Sequence, residues 1–353
     1  MDPKALDRLL PFVLKRDNVA RYEDGVVYIG DRRKYPFKEE FLRCDGVEDV
    51  ARAIEDMVTQ GGGPWVAAVF AMAMAARKAE GSSLDEVLDD LRKAKSRLTH
   101  TRPTNTAMAR RLDDTLRIAE KAGKEGRPIE QAILGWIRET RNEVYENYEY
   151  RARLGAGLVD DGDGILTMCF AETAFILAMA FAKQEGKAIH VFTPETRPYL
   201  QGARLTAPSL HELGIPVQII TDNMPAYVMS QGKIQKYFTA ADLITLDGHV
   251  CNKIGTFQNA IAAHHHGIPY FVFMWGADLK SPDRASIKIE TRDPAEIRAC
   301  RGIPTTIDDI DAYYPAFDIT PPYMVSGVIT RYGILSPYDL KRHFTKAREN
   351  QGA

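Results

Sequence analysis

The chain has 353 residues, 45% of them hydrophobic, enough for about two domains that each bury a core. Its 46 basic and 48 acidic residues leave a net charge of -2, without the basic excess of a nucleic-acid binder. The apolar run at 174–182 is far shorter than the roughly 20 residues that span a bilayer, and Met1-Asp2-Pro3-Lys4 opens no secretory signal, so a cytoplasmic protein without a membrane partner is expected.

Extended runs near 26–29 and 38–43 come first. Helical periodicity follows at 47–58, 64–79, 84–98, 107–122 and 128–152. Ser83 and Glu86 have capping-box spacing, and Pro64 and Pro128 suit a first helical turn. Gly61-Gly62-Gly63-Pro64 enters a helix, so the N–H groups of Gly62 and Gly63 are candidates to cradle an anion; an ordinary turn fits as well. Arg102-Pro103-Thr104-Asn105 lies between two helices. A polar stretch at 155–164 carries four glycines and divides the chain into a mainly helical domain, 1–155, and a second domain, 156–353.

Beyond it the rhythm changes. Short apolar runs at 165–170, 189–192, 217–221, 243–246 and 270–273 alternate with helical patterns at 173–184, 202–213, 227–231 and 257–265. That alternation predicts an α/β protein in which a helical N-terminal domain precedes a Rossmann-like, doubly wound parallel sheet. Ligands of such sheets sit beyond the carboxyl ends of the strands, where Cys169, Glu195, Asp222 and Asp242 fall.

Cys169 ends a strand-like run just before a helix, a place that favours a thiolate; a small core residue is the plainer reading. Asp242 stands against Leu243-Ile244-Thr245-Leu246, where burial would raise its pKa and suit a general acid; a surface or capping role fits equally. Residues 194–207, Pro-Glu-Thr-Arg-Pro-Tyr-Leu-Gln-Gly-Ala-Arg-Leu-Thr-Ala, gather Arg197, Gln201 and Arg204 in what reads as an anion-binding loop, and Asn252-Lys253-Ile254-Gly255-Thr256 adds a lysine. Cys44, Cys169, Cys251 and Cys300 are too scattered for a disulfide framework or zinc ribbon. His264-His265-His266 point about 100° apart on a helix and do not converge on one ion. No Gly-x-Gly-x-x-Gly follows the first strand of the second domain and no Gly-Lys-Ser/Thr loop occurs, so neither cofactor nor metal is expected.

Three segments carry a resemblance: Glu195-Thr196-Arg197-Pro198 with Gln201-Gly202-Ala203-Arg204-Leu205-Thr206-Ala207, then Asn252-Lys253-Ile254-Gly255-Thr256, then Pro315-Ala316-Phe317-Asp318-Ile319-Thr320-Pro321-Pro322. The chain resembles, over about 45–340, the family of methylthioribose-1-phosphate isomerase, ribose-1,5-bisphosphate isomerase and the regulatory subunits of translation initiation factor 2B. The resemblance implies that Cys169 and Asp242 are the catalytic pair, that Arg102, Gln201, Asn252 and Lys253 help bind phosphate and sugar, and that the protein is a homodimer; Gly62 and Gly63 join the phosphate candidates through their backbone N–H groups. The expected activity is aldose–ketose isomerisation of a ribose 1-phosphate derivative, foremost 5-methylthioribose 1-phosphate, through proton transfer or a hydride shift. Ribose 1,5-bisphosphate, 5-deoxyribose 1-phosphate and a non-catalytic, sugar-phosphate-sensing subunit are the alternatives. This chain departs from the isomerases at Gly61-Gly62-Gly63, where they carry Arg-Gly-Ala, and in the short segment after Cys169. Trp65, Val66 and Phe170 favour an apolar C5 substituent over a second phosphate.

Overall fold

The computed structural model describes residues 3–102 and 106–349, so Pro103, Thr104 and Asn105 lie outside the described residues. The chain forms two compact units, Met1–Glu146 and Asn147–Ala353.

In the first unit, short helices α1 (Pro3–Asp7) and α2 (Arg16–Val19) precede an antiparallel sheet of β1 (Ala20–Glu23), β2 (Val26–Gly30) and β3 (Phe41–Cys44). Helices α3 (Val47–Glu55), α4 (Gly63–Lys78), α5 (Leu84–His100) and α6 (Thr106–Lys124) follow. The apolar sequence of α4 wraps all round the helix, and the helix is accordingly the centre of this core, packed by α3, α5 and α6. The predicted capping box starts α5: the Ser83 N–H donates to Glu86 Oε2 at 2.8 Å and the Glu86 N–H returns to Ser83 Oγ at 3.4 Å. The division between the units falls within α7 (Ile129–Ala156).

The second unit is built on a seven-stranded sheet. In chain order its elements are β4 (Gly164–Thr167), α8 (Glu172–Gln184), β5 (His190–Pro194), α9 (Ala207–Glu212), β6 (Val217–Ile220), α10 (Pro225–Ser230), β7 (Lys236–Ala240), β8 (Leu243–Ile244), β9 (Val250–Lys253), α11 (Thr256–His265) and β10 (Tyr270–Phe273). Then come α12 (Ala295–Arg298), β11 (Ala299–Cys300), β12 (Ile303–Pro304), β13 (Phe317–Thr320), β14 (Gly327–Thr330), β15 (Gly333–Leu335) and α13 (Leu340–Glu349). The large sheet has the order β15-β14-β10-β7-β4-β5-β6, parallel throughout except for β15. Alternating side chains build two cores. Leu166, Tyr237 and Val272 pack with Ala260 of α11 and Phe344 of α13, whereas Phe238 and Phe273 meet Phe175 of α8. Helices on both faces make the sheet doubly wound, as the alternation predicted.

The fourth parallel strand is not the predicted 243–246. It is β7, whose polar opening at Lys236 obscured it; that ammonium is neutralised by Asp160 and Asp163, each 3.0 Å away. Leu243 and Ile244 instead join a separate antiparallel sheet of order β13-β9-β8, because they register with Cys251 and Val250. Strands β14 and β15 had no counterpart in the sequence reading.

Candidate active site

Strand order reverses between β4 and β7. From β4 the chain winds outward through β5 and β6, then returns to β7 on the other side and continues to β10 and β14. A crevice at the carboxyl ends of such a pair is where doubly wound sheets bind ligands. Cys169 follows β4 and Asp242 follows β7, so the two predicted catalytic residues flank this reversal.

Cys169 lies two residues beyond β4, not within a strand, and its φ is +61°. A non-glycine residue in that region carries a cost of about 1–3 kcal/mol and persists only where its surroundings impose it. Here they do. The Cys169 N–H donates to Thr196 Oγ1 at 3.2 Å, and the Cys169 carbonyl accepts from Thr206 Oγ1 at 2.5 Å. Both threonines are wholly buried. The side chain of Cys169 itself is half-buried.

Asp242 departs from expectation. It is exposed, because the chain bends after β7 rather than running on into an apolar parallel strand; its own N–H donates to the Cys251 carbonyl at 3.0 Å and starts the small sheet. The burial expected around its carboxyl is therefore not supplied by this fold position.

Lys253 connects the two. It is 4% exposed on β9, and burial pulls its pKa below the ordinary lysine range. Opposing that burial, its ammonium interacts favourably with Cys169 and with Asp242, which puts thiol, carboxyl and cation in one neighbourhood. Arg292 and Glu290, an ion pair at 2.8 Å, also act on it. The Arg292 guanidinium and the Lys253 ammonium face the same ring, Phe317, at 5.8 and 4.8 Å from its centroid. Neighbouring Cys251 is not a second reactive thiol, since burial and then the Asp242 charge push its pKa up to about 12.

Asn252 is buried and donates to Thr256 Oγ1 at 3.0 Å. Opposite it on β13, Asp318 accepts N–H bonds from Gly255 at 2.7 Å and Phe257 at 3.1 Å, capping α11. Gln201 is buried at the start of a π-helical turn, Gly202–Thr206, and its Oε1 makes no hydrogen bond among the described residues. A buried carboxamide oxygen without a donor is an acceptor available to a ligand hydroxyl. Gly202 is dictated by close approach: a Cβ there would sit 1.8 Å from the Pro194 carbonyl oxygen.

The two arginines of the 194–207 loop serve its architecture. Arg197 donates to the carbonyls of Ile297 and Ala299 at 3.1 and 3.0 Å, and Arg204 lies over the Tyr199 ring at 5.2 Å. Asp222, after β6, accepts the N–H groups of Thr196 and Arg197, both at 2.7 Å.

Gly62, Gly63 and Arg102 belong to the first unit. Gly63 opens α4 with its N–H already donated to the Gln60 carbonyl, and a Cβ on it would meet Thr59 Oγ1 at 1.9 Å. Arg102 donates to Met57 Sδ in the loop that leads to these glycines. That loop is also held by the buried Arg32, which donates to the Gln60 carbonyl at 2.8 Å. Sequence reasoning missed Arg32, Thr196, Thr206 and Arg292; only the two threonines lay in a segment already singled out.

Residues 63–337 match the initiation factor 2 subunit family. The chain belongs to that family. Among its relatives, a putative methylthioribose-1-phosphate isomerase of Methanocaldococcus jannaschii is 39% identical over 87% of this chain and 91% of its own length. The methylthioribose-1-phosphate isomerase of Chloroflexus aurantiacus is 36% identical over 90% and 94%. Among solved structures, 5-methylthioribose 1-phosphate isomerase from Pyrococcus horikoshii superposes with a TM-score of 0.85 at 30% identity, covering 99% of this chain and 98% of that one. A translation initiation factor eIF-2B delta subunit from A. fulgidus reaches 0.80 at 33%, covering 91% and 96%.

Proposed function

We propose that this family member is a cofactor-independent aldose–ketose isomerase that converts 5-methylthioribose 1-phosphate into 5-methylthioribulose 1-phosphate. The observation that carries the chemistry is the placement of Cys169 after β4 and Asp242 after β7, on the two sides of the reversal of strand order, with Lys253 buried on β9. The names of the relatives support the substrate.

A phosphate on the anomeric carbon prevents spontaneous ring opening, so an acid must protonate the ring oxygen as its bond to C1 breaks. Asp242 takes that role, and its exposure lets it exchange protons with solvent. Cys169 as thiolate, supported by the Lys253 cation, removes the C2 proton. The resulting C1–C2 enol, still phosphorylated at C1, gains a proton at C1 as the C2 hydroxyl loses one, leaving the ketone at C2. Lys253 neutralises the phosphate, and the free Gln201 Oε1 accepts from a sugar hydroxyl. Arg102 and Asn252 are assigned to phosphate and sugar by the resemblance alone; Gly62 keeps its place as a backbone candidate at the entry to α4, whereas the Gly63 N–H is taken by the Gln60 carbonyl. The buried Phe170 beside Cys169 favours an apolar C5 substituent. Methionine salvage, a cytoplasmic location and a homodimer belong to the same reading; light scattering tests the last.

The deciding experiment is a product assay on 5-methylthioribose 1-phosphate, ribose 1,5-bisphosphate and 5-deoxyribose 1-phosphate. Fastest conversion of the first is expected. Tight binding of a sugar phosphate without turnover would instead make the chain a regulatory subunit. General acid and base groups contribute about 10² to 10⁴-fold each, so Cys169→Ala and Asp242→Asn should each lose at least about 10²-fold in kcat.

A further inference from the structure

Three strand tips are tied to one another through side chains rather than through the sheet. Asp222, after β6, holds the N–H groups of Thr196 and Arg197 with its two carboxylate oxygens, each at 2.7 Å. Thr196, after β5, is itself left-handed at φ +64°, and its hydroxyl accepts from the Cys169 N–H at 3.2 Å while donating to the Pro194 carbonyl at 3.2 Å. Thr206, from the π-helical turn, donates to the Cys169 carbonyl at 2.5 Å. Both peptide groups that flank the Cys169 Cα thus end on a buried threonine hydroxyl, and Cys169 has the strained φ of +61° between them.

An unconstrained cysteine at this point relaxes to an ordinary extended or helical backbone, which swings Cα–Cβ and re-aims the sulfur relative to the buried Lys253. We propose that Thr196 and Thr206 are positioning residues that lock the Cys169 backbone and so aim its thiol, with Asp222 fixing Thr196 in turn. Hydroxyls suit the task because one group both accepts and donates, as Thr196 does. Valine has the same shape and neither capacity. The proposal deepens the isomerase reading and rests on Cys169 as its base.

The experiment compares Thr196→Val, Thr206→Val, Thr196→Ser and Thr206→Ser with wild type by kinetics and by alkylation. A displaced reacting group costs about 10²-fold, so each valine variant should lose about that much kcat with KM nearly unchanged, while the serine variants recover most of it. Peptide-resolved iodoacetamide labelling of Cys169 across pH reads the thiol directly. In the valine variants the midpoint should move up, as the sulfur leaves the lysine cation, and the serine variants should keep the wild-type midpoint. If a valine variant fails to fold by circular dichroism, Thr196→Ala or Thr206→Ala replaces it with the same expected result. Near-normal kcat and an unshifted midpoint in folded hydroxyl-less variants would overturn the proposal. Retained turnover in Cys169→Ala would sink the isomerase base assignment separately, and the labelling midpoints would still decide whether the threonines hold the thiol.

Discussion

Lys253 on β9 and Phe317 on β13 are register partners, and the ammonium stands 4.8 Å from the centre of the ring. The aromatic face offers a buried cation some compensation without neutralising it, which leaves the charge available to an anion. Lys253→Met should raise KM for the sugar phosphate about 10- to 100-fold, the range of a charged hydrogen bond worth about 1.5–3 kcal/mol. Lys253→Arg should not rescue it, since the planar guanidinium does not fit a site shaped for a point charge. Steady-state kinetics with varied substrate checks both.

Asp318 supplies a pH signature. Burial, only partly offset by its bonds from Phe257 and Gly255, raises its pKa to about 6. The folded state therefore holds a proton that the unfolded state has released, and stability falls as pH rises from near the unfolded carboxyl value of about 4 through 6. The span corresponds to roughly 2–3 kcal/mol. Asp318→Asn should flatten the difference in melting temperature between pH 4.5 and 7; parallel curves for the two proteins would refute this.

Gly202 admits no side chain beside the Pro194 carbonyl oxygen. Gly202→Ala should destabilise the protein by about 1–3 kcal/mol through forced backbone movement. Urea unfolding reads the loss. Because the same turn carries Thr206, kcat should fall more than melting temperature alone accounts for.

Arg197 tethers the segment around α12 and β11 through the carbonyls of Ile297 and Ala299. Arg197→Ala leaves both acceptors without that donor, and limited proteolysis should cut near 295–305 several times faster than in wild type. Equal cleavage rates would mean that the segment is held by other contacts.

The alternation of apolar runs and helical stretches was enough to reveal a doubly wound sheet, because each buried parallel strand leaves its own run of Ile, Val and Phe. It failed at Lys236–Ala240, where the first side chain is a lysine that pairs with two aspartates of the polar stretch before β4. The strand-end placement of Cys169 and Asp242 was legible, since each follows a run that becomes or adjoins a parallel strand. The exposure of Asp242 was not legible, since pairing with the Cys251 carbonyl decides the chain path there. Arg197 read as an anion ligand because a sequence does not say which carbonyls will lie within reach. The hydroxyl contacts of Thr196 and Thr206 join residues 27 and 37 positions from Cys169, a separation at which no local pattern speaks.

The π-helical turn Gly202–Thr206 holds one residue more per hydrogen-bonded loop than an α-helix does. Removing a single amino acid would let it tighten into ordinary helix and abolish the wide turn from which the Thr206 hydroxyl reaches the Cys169 carbonyl. The length of this stretch is consequently as constrained as its composition: a deletion there would release the Cys169 carbonyl from its buried hydroxyl donor while leaving Cys169, Asp242 and Lys253 themselves unaltered.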